Sequence, residues 1–355
     1  QLDIEMSFVD QDDILSVQEA FLKTLFKEIR GIDIETPFPR ITWDEAINRY
    51  GSDKPDLRFG FELVDIADEV RDCGFEVFSK AISEGGRVMG ININGGSEKF
   101  SRKDIDKLTD SIKTFGAKGM VWIRREADEI RSSVSKFFDR AALEKLCSRF
   151  EAKDGDLILI VSGPQNVVWA SLGFLRRDMA STLGMLNPND FKLLWVVDFP
   201  MFEWSEEEKR FTARHHPFTS PKMEDLHYLE NGELEKVYAD AYDVVINGYE
   251  AGGGSIRIHD SKLQKLVFEV LQLSEEDIHT RFGFFVDAFR YGTPPHGGLA
   301  YGVDRLTMLM LGTDDIRDVI AFPKNQSAQC VMSEAPTIVT KEQLEELHIS
   351  CVAKE

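Results

Sequence analysis

Residues Ala241-Tyr-Asp-Val-Val-Ile-Asn-Gly-Tyr-Glu-Ala-Gly-Gly-Gly-Ser-Ile-Arg-Ile-His259 read as two strand arms joined through a glycine-rich turn. Side chains alternate between faces along a strand, so the first arm sets Asp243, Val245 and Asn247 on one face and Val244 and Ile246 on the other. The second arm sets Ser255, Arg257 and His259 opposite Ile256 and Ile258. Polar groups therefore share a face. Asp243 and Glu250 are two carboxylates suited to a hard divalent ion such as Mg²⁺, which takes one or two protein carboxylates and leaves its other positions to phosphates and water. Gly252, Gly253 and Gly254 let a ligand approach the backbone closely. Arg257 carries a planar guanidinium able to grip a carboxylate with two parallel hydrogen bonds. The bland alternative, a surface hairpin whose charges form exposed ion pairs, fits these residues equally well.

Outward from this hairpin, strand patterns recur at Leu193 to Phe199 and Leu299 to Gly302, with helices between and after them. Hairpins and long excursions without a regular strand–helix alternation point to an α+β fold with a largely antiparallel sheet. At the start of the chain Leu2, Ile4, Met6 and Phe8 alternate with Asp3, Glu5 and Ser7, the pattern of a half-buried strand. Asp10 or Asp12 can cap a helix whose apolar positions Ile14, Val17, Phe21, Leu25 and Ile29 run to a stop at Gly31. A short helix from Trp43 to Tyr50 leads into Gly51-Ser-Asp-Lys-Pro55, a turn-rich stretch read as a domain boundary. From about residue 61 to 187 the pattern changes to a separate α/β module, with strands near Arg87 to Ile93, Met120 to Ile123 and Leu157 to Val161. Its clearest helix opens with the capping-box-like Ser101-Arg-Lys-Asp104 and ends at Gly116. Neither Gly95-Gly96 nor Gly116-Ala-Lys-Gly119 has the spacing of a phosphate-binding loop, so these glycines read as turns.

With 355 residues and 43% hydrophobic content the chain can bury a core and make two or three domains. No apolar run has the roughly 18 residues a membrane span needs and no secretory signal opens the chain, so a soluble, cytoplasmic protein without a membrane partner is expected. Cys73, Cys147, Cys330 and Cys351 form no CxxC pair and are expected to be free thiols, mostly buried. A net charge of −20 argues against binding nucleic acid through general electrostatics, so any such contact is local. The pairs Arg124-Arg125 and Arg176-Arg177 read as solvated faces without a role.

The run Pro294-Pro-His-Gly-Gly-Leu-Ala-Tyr-Gly-Val-Asp-Arg-Leu-Thr-Met-Leu-Met-Leu-Gly312 reads as strand, glycine turn and a helix that buries Leu306, Leu309 and Met310. Arg305 stands at the helix start, where free N–H groups already favour phosphate oxygens, although taken alone such an arginine is more often structural. The Gly302-Val-Asp-Arg-Leu306 run resembles motif 3 of class II aminoacyl-tRNA synthetases. Ile316-Arg-Asp-Val-Ile-Ala-Phe-Pro-Lys324 resembles the tail of the aspartate, asparagine and lysine subgroup. Gln1-Leu-Asp-Ile-Glu5, Tyr50-Gly-Ser-Asp-Lys-Pro-Asp56, Trp195-Val-Val-Asp-Phe-Pro200, His215-His-Pro-Phe-Thr219 and the 241–259 hairpin look like bacterial-type aspartyl enzymes. Several long motifs in the right order make the resemblance specific, and it covers nearly the whole chain.

The resemblance implies an antiparallel class II sheet flanked by helices, formed by residues 1–60 and 188–355 and interrupted by an inserted α/β domain at 61–187 that is related to a domain of tRNA-dependent amidotransferases. It implies that Asp243 and Glu250 hold Mg²⁺. Arg257 would read the side-chain carboxylate of L-aspartate and, with Glu250 and Arg305, contact ATP; Glu250 and Arg305 would be the catalytic pair. Asp3, beside Gln1, would bind the aspartate ammonium. His215 and His216 would sit on a mobile loop near the amino acid, although by chemistry alone a His-His-Pro turn reads as structural. The implied reaction is ATP-driven formation of aspartyl-adenylate and transfer to tRNA(Asp), with tRNA(Asn) a further candidate, in a homodimeric full-length enzyme. The chain opens at Gln1 within a strand, so an anticodon-binding barrel, motif 1 and most of motif 2 are expected upstream, and little activity is expected of this chain alone. Rival readings are a non-catalytic binding fragment or paralogue and an asparaginyl synthetase, against which Arg257 and the insertion speak.

Overall fold

In the computed structural model, which describes residues 1–352, the alternating start of the chain is strand β1 (Leu2–Ser7). Helix α1 (Gln11–Arg30) follows, with Asp10 and Asp13 each accepting the other's backbone N–H and Gly31 closing it in the left-handed conformation. Its buried stripe is Ile14, Leu15, Gln18, Glu19, Leu22 and Phe26, whereas Val17 and Ile29, read as part of the apolar face, are exposed. Glu19 explains the turn of the stripe. Its Oε1 accepts the indole N–H of Trp195 at 2.9 Å and the backbone N–H of Phe38 at 3.0 Å, and a buried acceptor with two donors is well satisfied.

Strand β2 (Arg40–Thr42) runs into helix α2 (Trp43–Tyr50), which Thr42 caps and Gly51 ends. The chain then builds a second sheet from β3 (Val64–Asp65), β4 (Arg87–Ile93), β5 (Val121–Arg125), β6 (Ile130–Ser132) and β7 (Leu157–Gly163). Helices α3 (Arg102–Ile112), α4 (Arg140–Arg149) and α5 (Gln165–Thr182) belong to this segment, and the Ser101–Asp104 capping box is present as read. The five strands lie in the order β3-β4-β7-β5-β6 with every ladder antiparallel. Each face has its own core: Ile91, Leu159, Ile105 and Leu172 on one side, Val88, Ile160, Phe78 and Leu146 on the other.

The first sheet resumes with β8 (Leu193–Pro200), a small hairpin of β9 (Phe202–Ser205) and β10 (Arg210–Ala213), then β11 (Tyr238–Ile246), β12 (Tyr249–Ile256) and β13 (His296–Tyr301). Between the last two run α6 (Ser261–Val270) and α7 (Glu275–Ala288). Its order is β1-β13-β12-β11-β8-β2, antiparallel except for the parallel β2–β8 pair. Strand β12 starts earlier than the expected Ser255 to His259, and the three glycines lie inside it. The reason is crowding: a methyl on Gly252 would sit 2.8 Å from the Ala300 carbonyl oxygen of the neighbouring strand. One face of the sheet carries Trp195, Tyr242 and Tyr301 toward α1, with Phe21 and Tyr301 rings 5.2 Å apart. The other face carries Val245, Leu194 and Val196 in a separate cluster, and beside them the polar site.

Residues 1–302 form one compact unit, and a second begins at Val303. The second unit opens with α8 (Val303–Leu311), in which Leu306, Leu309 and Met310 are buried as expected and Met308 with them. Of the cysteines, Cys147 and Cys330 are buried, Cys73 is half-buried and Cys351 is exposed, so the expectation of mostly buried thiols holds for two. Arg176 overturns the reading of its pair as a solvated face, being only 3% exposed. No helix among the described residues is long and apolar enough to cross a membrane.

Replacing Glu19 by Ala leaves two buried donors without an acceptor, which costs roughly 2–5 kcal/mol, while Glu19→Gln keeps the oxygen and loses less. Urea unfolding of the two variants measures the difference.

Candidate active site

The β11–β12 hairpin closes through Asn247-Gly248, both at positive φ (53° and 84°), the two-residue turn whose twist suits a hairpin. Asn247 is therefore a turn residue and not part of the polar face of the first arm. Its amide accepts the Lys192 N–H and donates to the Asp190 carbonyl. Along the ladder Asp243 faces Gly253 and Val244 faces Gly252, but Val245 faces Glu250, so Ala251 is an extra, bulged residue. Strict alternation from Gly253 would have turned Glu250 to the α1 side of the sheet. The bulge returns it to the face of Asp243. A methyl on Gly253 would overlap Asp243 Oδ1 and lie 3.6 Å from Glu250 Oε1, so no side chain separates the two carboxylates.

The neighbouring strands complete this face. Ser255 stands opposite Gly298 and Gly253 opposite Ala300, and β1 then places Glu5 opposite Gly298 and Asp3 opposite Ala300. The small residues form the floor of a cavity of about 570 Å³ whose walls include Asp53, Lys54, Arg214, His215, His216, Asp243, Glu250 and Arg257. Burial, and then the charges of Glu250 and Asp53, push the Asp243 carboxyl up to about 8, against the pull of Lys54 and Arg214. Lys54 Nζ lies 2.8 Å from Glu250 Oε2. Burial opposes the charge of Lys54, but the bond to Glu250 and the nearby Asp53 and Asp243 outweigh it and raise its pKa. Arg214 stacks over the Trp43 ring at 4.7 Å and approaches Asp53 to 3.8 Å. In a chain of net charge −20, cations are thus gathered around one acidic cluster.

Arg257 is held from three sides. It donates from Nη2 to Glu5 Oε1 at 2.9 Å and from Nη1 to Ser255 Oγ at 2.7 Å, and Nη1 also meets His216 Nε2. On the other side of the ring, Nδ1 accepts the Phe218 backbone N–H at 3.3 Å and lies 3.4 Å from Thr219 Oγ1. Burial first, then Arg257 and His215, lower the His216 pKa to about 4, which keeps the ring neutral. His215 is lowered as well, by burial and then by Arg214, and its ring packs edge-on against Phe199. The 215–221 segment is tied to the hairpin by a Thr219–Arg257 bridge and by the Ser220 N–H to the Ile256 carbonyl at 2.8 Å. On the far side of Arg257 lies a cavity of about 500 Å³ bordered by Glu5, His216, Phe218, Phe285 and His296.

Two carboxylates facing one cavity over a bare glycine fit a Mg²⁺ ion that keeps most of its shell for other ligands. Among the described residues no cluster of three or more His, Cys, Asp or Glu side chains could hold a metal, so phosphate and water oxygens would have to complete the shell. The fold brings together Asp243, Glu250, Arg257, His215 and His216, and sets Asp3 on the same sheet face. Gln1 is exposed, just before β1. Arg305 is half-buried in the first turn of α8, in the second unit. Glu5, Asp53, Lys54 and Arg214 were not read as site residues. Glu5 had a signal, since it follows Asp3 on the same strand face; Asp53 and Lys54 lie in the Tyr50–Asp56 run, read both as a boundary turn and as a stretch resembling aspartyl enzymes but given no site role, and that turn feeds the cavity.

The family model for tRNA synthetases class II (D, K and N) matches residues 1–326. The chain is 54% identical to an aspartate–tRNA ligase of Ruminiclostridium cellulolyticum over 100% of its own length and 60% of that protein. It is 51% identical to an aspartate–tRNA(Asp/Asn) ligase of Caldanaerobacter subterraneus over 98% of its length and 59% of that protein. It is also 48% identical to an aspartate–tRNA ligase of Clostridium perfringens, with 100% and 59% covered. The chain thus spans about 60% of the length of the curated relatives it matches.

Because His216 titrates near 4 when folded and near its ordinary 6.5 when unfolded, its neutral form contributes stability above about pH 6.5 that is lost as pH falls through about 4. A His216→Gln variant, which keeps an acceptor for Arg257, should lose less stability than the parent between pH 7 and pH 4.5. Urea midpoints across that range check it.

Proposed function

The chain belongs to the class II tRNA synthetases of the D, K and N group, and from that premise we propose that it carries the catalytic chemistry of an aspartate–tRNA ligase. The reaction is attack of the aspartate α-carboxylate on the α-phosphorus of ATP, giving aspartyl-adenylate and pyrophosphate, followed by acyl transfer to the terminal ribose of tRNA. The observation that carries this reading is one cavity holding a carboxylate pair at one end and Arg257, pre-oriented by Glu5, Ser255 and His216, at the other. Relatives at about 50% identity over nearly the whole chain support the aspartate assignment.

No protein nucleophile is needed. The work is to hold two anionic reactants in reacting geometry and offset their charge. Arg257, already paired with Glu5, would bind the side-chain carboxylate of aspartate through both oxygens; the amide of asparagine would offer one oxygen and turn an N–H donor toward a guanidinium that can only donate. Asp3, on the sheet face beside Glu5, would take the substrate ammonium. Neutral His216 fixes the Arg257 head without adding a second positive charge. Lys54, now paired with Glu250, is placed to meet an incoming anion. Asp243 and Glu250 would hold Mg²⁺, which when bound supplies charge neutralisation to the ATP phosphates. Arg305, at the start of α8, would contact ATP. The cavities on either side of Arg257 offer room for an acyl-adenylate. Residues 61–187, with a sheet and two cores of their own, would be the insertion domain.

Calorimetric titration with non-hydrolysable aspartyl- and asparaginyl-adenylate analogues in Mg²⁺ tests the reading. The aspartyl form should bind more tightly by about 2 kcal/mol or more, and Arg257→Leu should abolish the preference. Equal binding of both analogues by the parent chain would rule out the assigned specificity.

A further inference from the structure

Helix α5 belongs to the second-sheet segment and packs into one of its cores through Val168, Leu172 and Leu175. Yet its other side touches both loops that supply the active-site ion pair. At Gly173 it meets Gly51, the residue that ends α2 at a φ of 68°, so closely that a methyl on Gly173 would lie 2.5 Å from the Gly51 carbonyl oxygen. One turn away Arg176 donates to three backbone carbonyls of the next stretch: Asp56 at 2.9 Å, Phe59 at 3.2 Å and Gly60 at 3.1 Å. Its guanidinium stacks on Tyr50 and Phe59 at 4.7 and 4.5 Å. Between these two attachments, Gly51 and Asp56, hangs the turn that presents Asp53 and Lys54 to the cavity.

The neighbouring Arg177 reaches the other loop. It donates to the Tyr249 hydroxyl at 2.7 Å, stacks on that ring at 4.4 Å and points Nη1 toward the Gly248 carbonyl at 3.5 Å. Gly248 is the second turn residue of the hairpin, Tyr249 opens β12 opposite Ile246, and the next residue is Glu250. Lys54 and Glu250, 2.8 Å apart across the cavity wall, therefore stand on segments seated on neighbouring residues of one helix, the first on Gly173 and Arg176 and the second on Arg177.

We propose that α5 positions the active site from behind, with Gly173, Arg176 and Arg177 as positioning residues that set Lys54 and Glu250 relative to each other. The inserted segment then acts on the acidic end of the cavity although none of its side chains enters it. This rests on the proposed function for its consequence, but the seating itself is a property of the chain without ligand.

Two variants test it. Arg177→Leu removes the bond to Tyr249 without touching a core, and Gly173→Ala wedges Gly51 away. Hydrogen–deuterium exchange on the ligand-free chain should speed up in peptides spanning 51–56 and 247–250 and stay unchanged in the β4–β7 core, with the thermal midpoint nearly kept. Affinity for the aspartyl-adenylate analogue in Mg²⁺ should fall by about tenfold to a hundredfold, as expected when charged groups are misplaced by about an ångström, and Arg177→Lys should restore part of it. Unchanged exchange in both loops overturns the proposal whether or not the analogue binds. Loosened loops with parental affinity and parental Mg²⁺ dependence overturn the functional half. Failure of the parent chain to bind the analogue would count against the proposed function, and the exchange data would still decide the seating.

Discussion

The site depends on two carboxylates being forced onto one face of a sheet. Regular alternation along β12 sends Asp243 and Glu250 to opposite faces, and only the bulge at Ala251 reverses this. Once they share a face they repel, and burial makes the repulsion felt: Asp243 is 8% exposed and holds its proton up to about 8. Two features follow from that constraint. Gly253 has no side chain because Asp243 fills the space beside it. Lys54 and Arg214 are drawn in as counter-charges. A divalent cation held by Asp243 and Glu250, as proposed, would relieve the same repulsion.

At the opposite end of the cavity the problem is reversed, since a cation must be kept available. Arg257 could have been neutralised by a bidentate carboxylate; instead it shares its donors among Glu5, a hydroxyl and a neutral imidazole. In the proposed function a ligand carboxylate would join Glu5 at this head. Burial first, and then Arg257 itself, lower the His216 imidazole to about 4 and keep it neutral. Charge in this pocket is thus regulated by neighbours that depend on each other, and helix α5, remote from the chemistry, holds the loops on which one end stands.

Much of the first sheet was legible because alternation and turn signals are local. Leu2 to Ser7, Trp43 to Tyr50 with Gly51, and the Ser101 capping box lie where the sequence places them. Asp243, Glu250 and Arg257 were legible as chemistry from residue type, but their geometry was not, since a bulge at Ala251 depends on how β11 pairs and leaves no mark on a period of two. The α1 stripe was misread at Val17 and Ile29 because Glu19 earns its burial from Trp195, a partner 176 residues away. Arg176 was misread for the same reason: its three carbonyl acceptors lie 116 to 120 residues earlier in the chain. Lys54 sat in a turn whose composition signals a boundary, and only the tertiary pairing with Glu250 shows its place in the site.

The most direct test of the account is whether the bulged hairpin binds the cation through both carboxylates. Electron paramagnetic resonance of Mn²⁺, used in place of Mg²⁺ and titrated into the chain with ATP, reports the bound ion. Asp243→Asn and Glu250→Gln should each weaken binding by about tenfold or more relative to the parent chain. Parental Mn²⁺ affinity in both variants, in folded protein, would contradict the claim that this pair is the metal site.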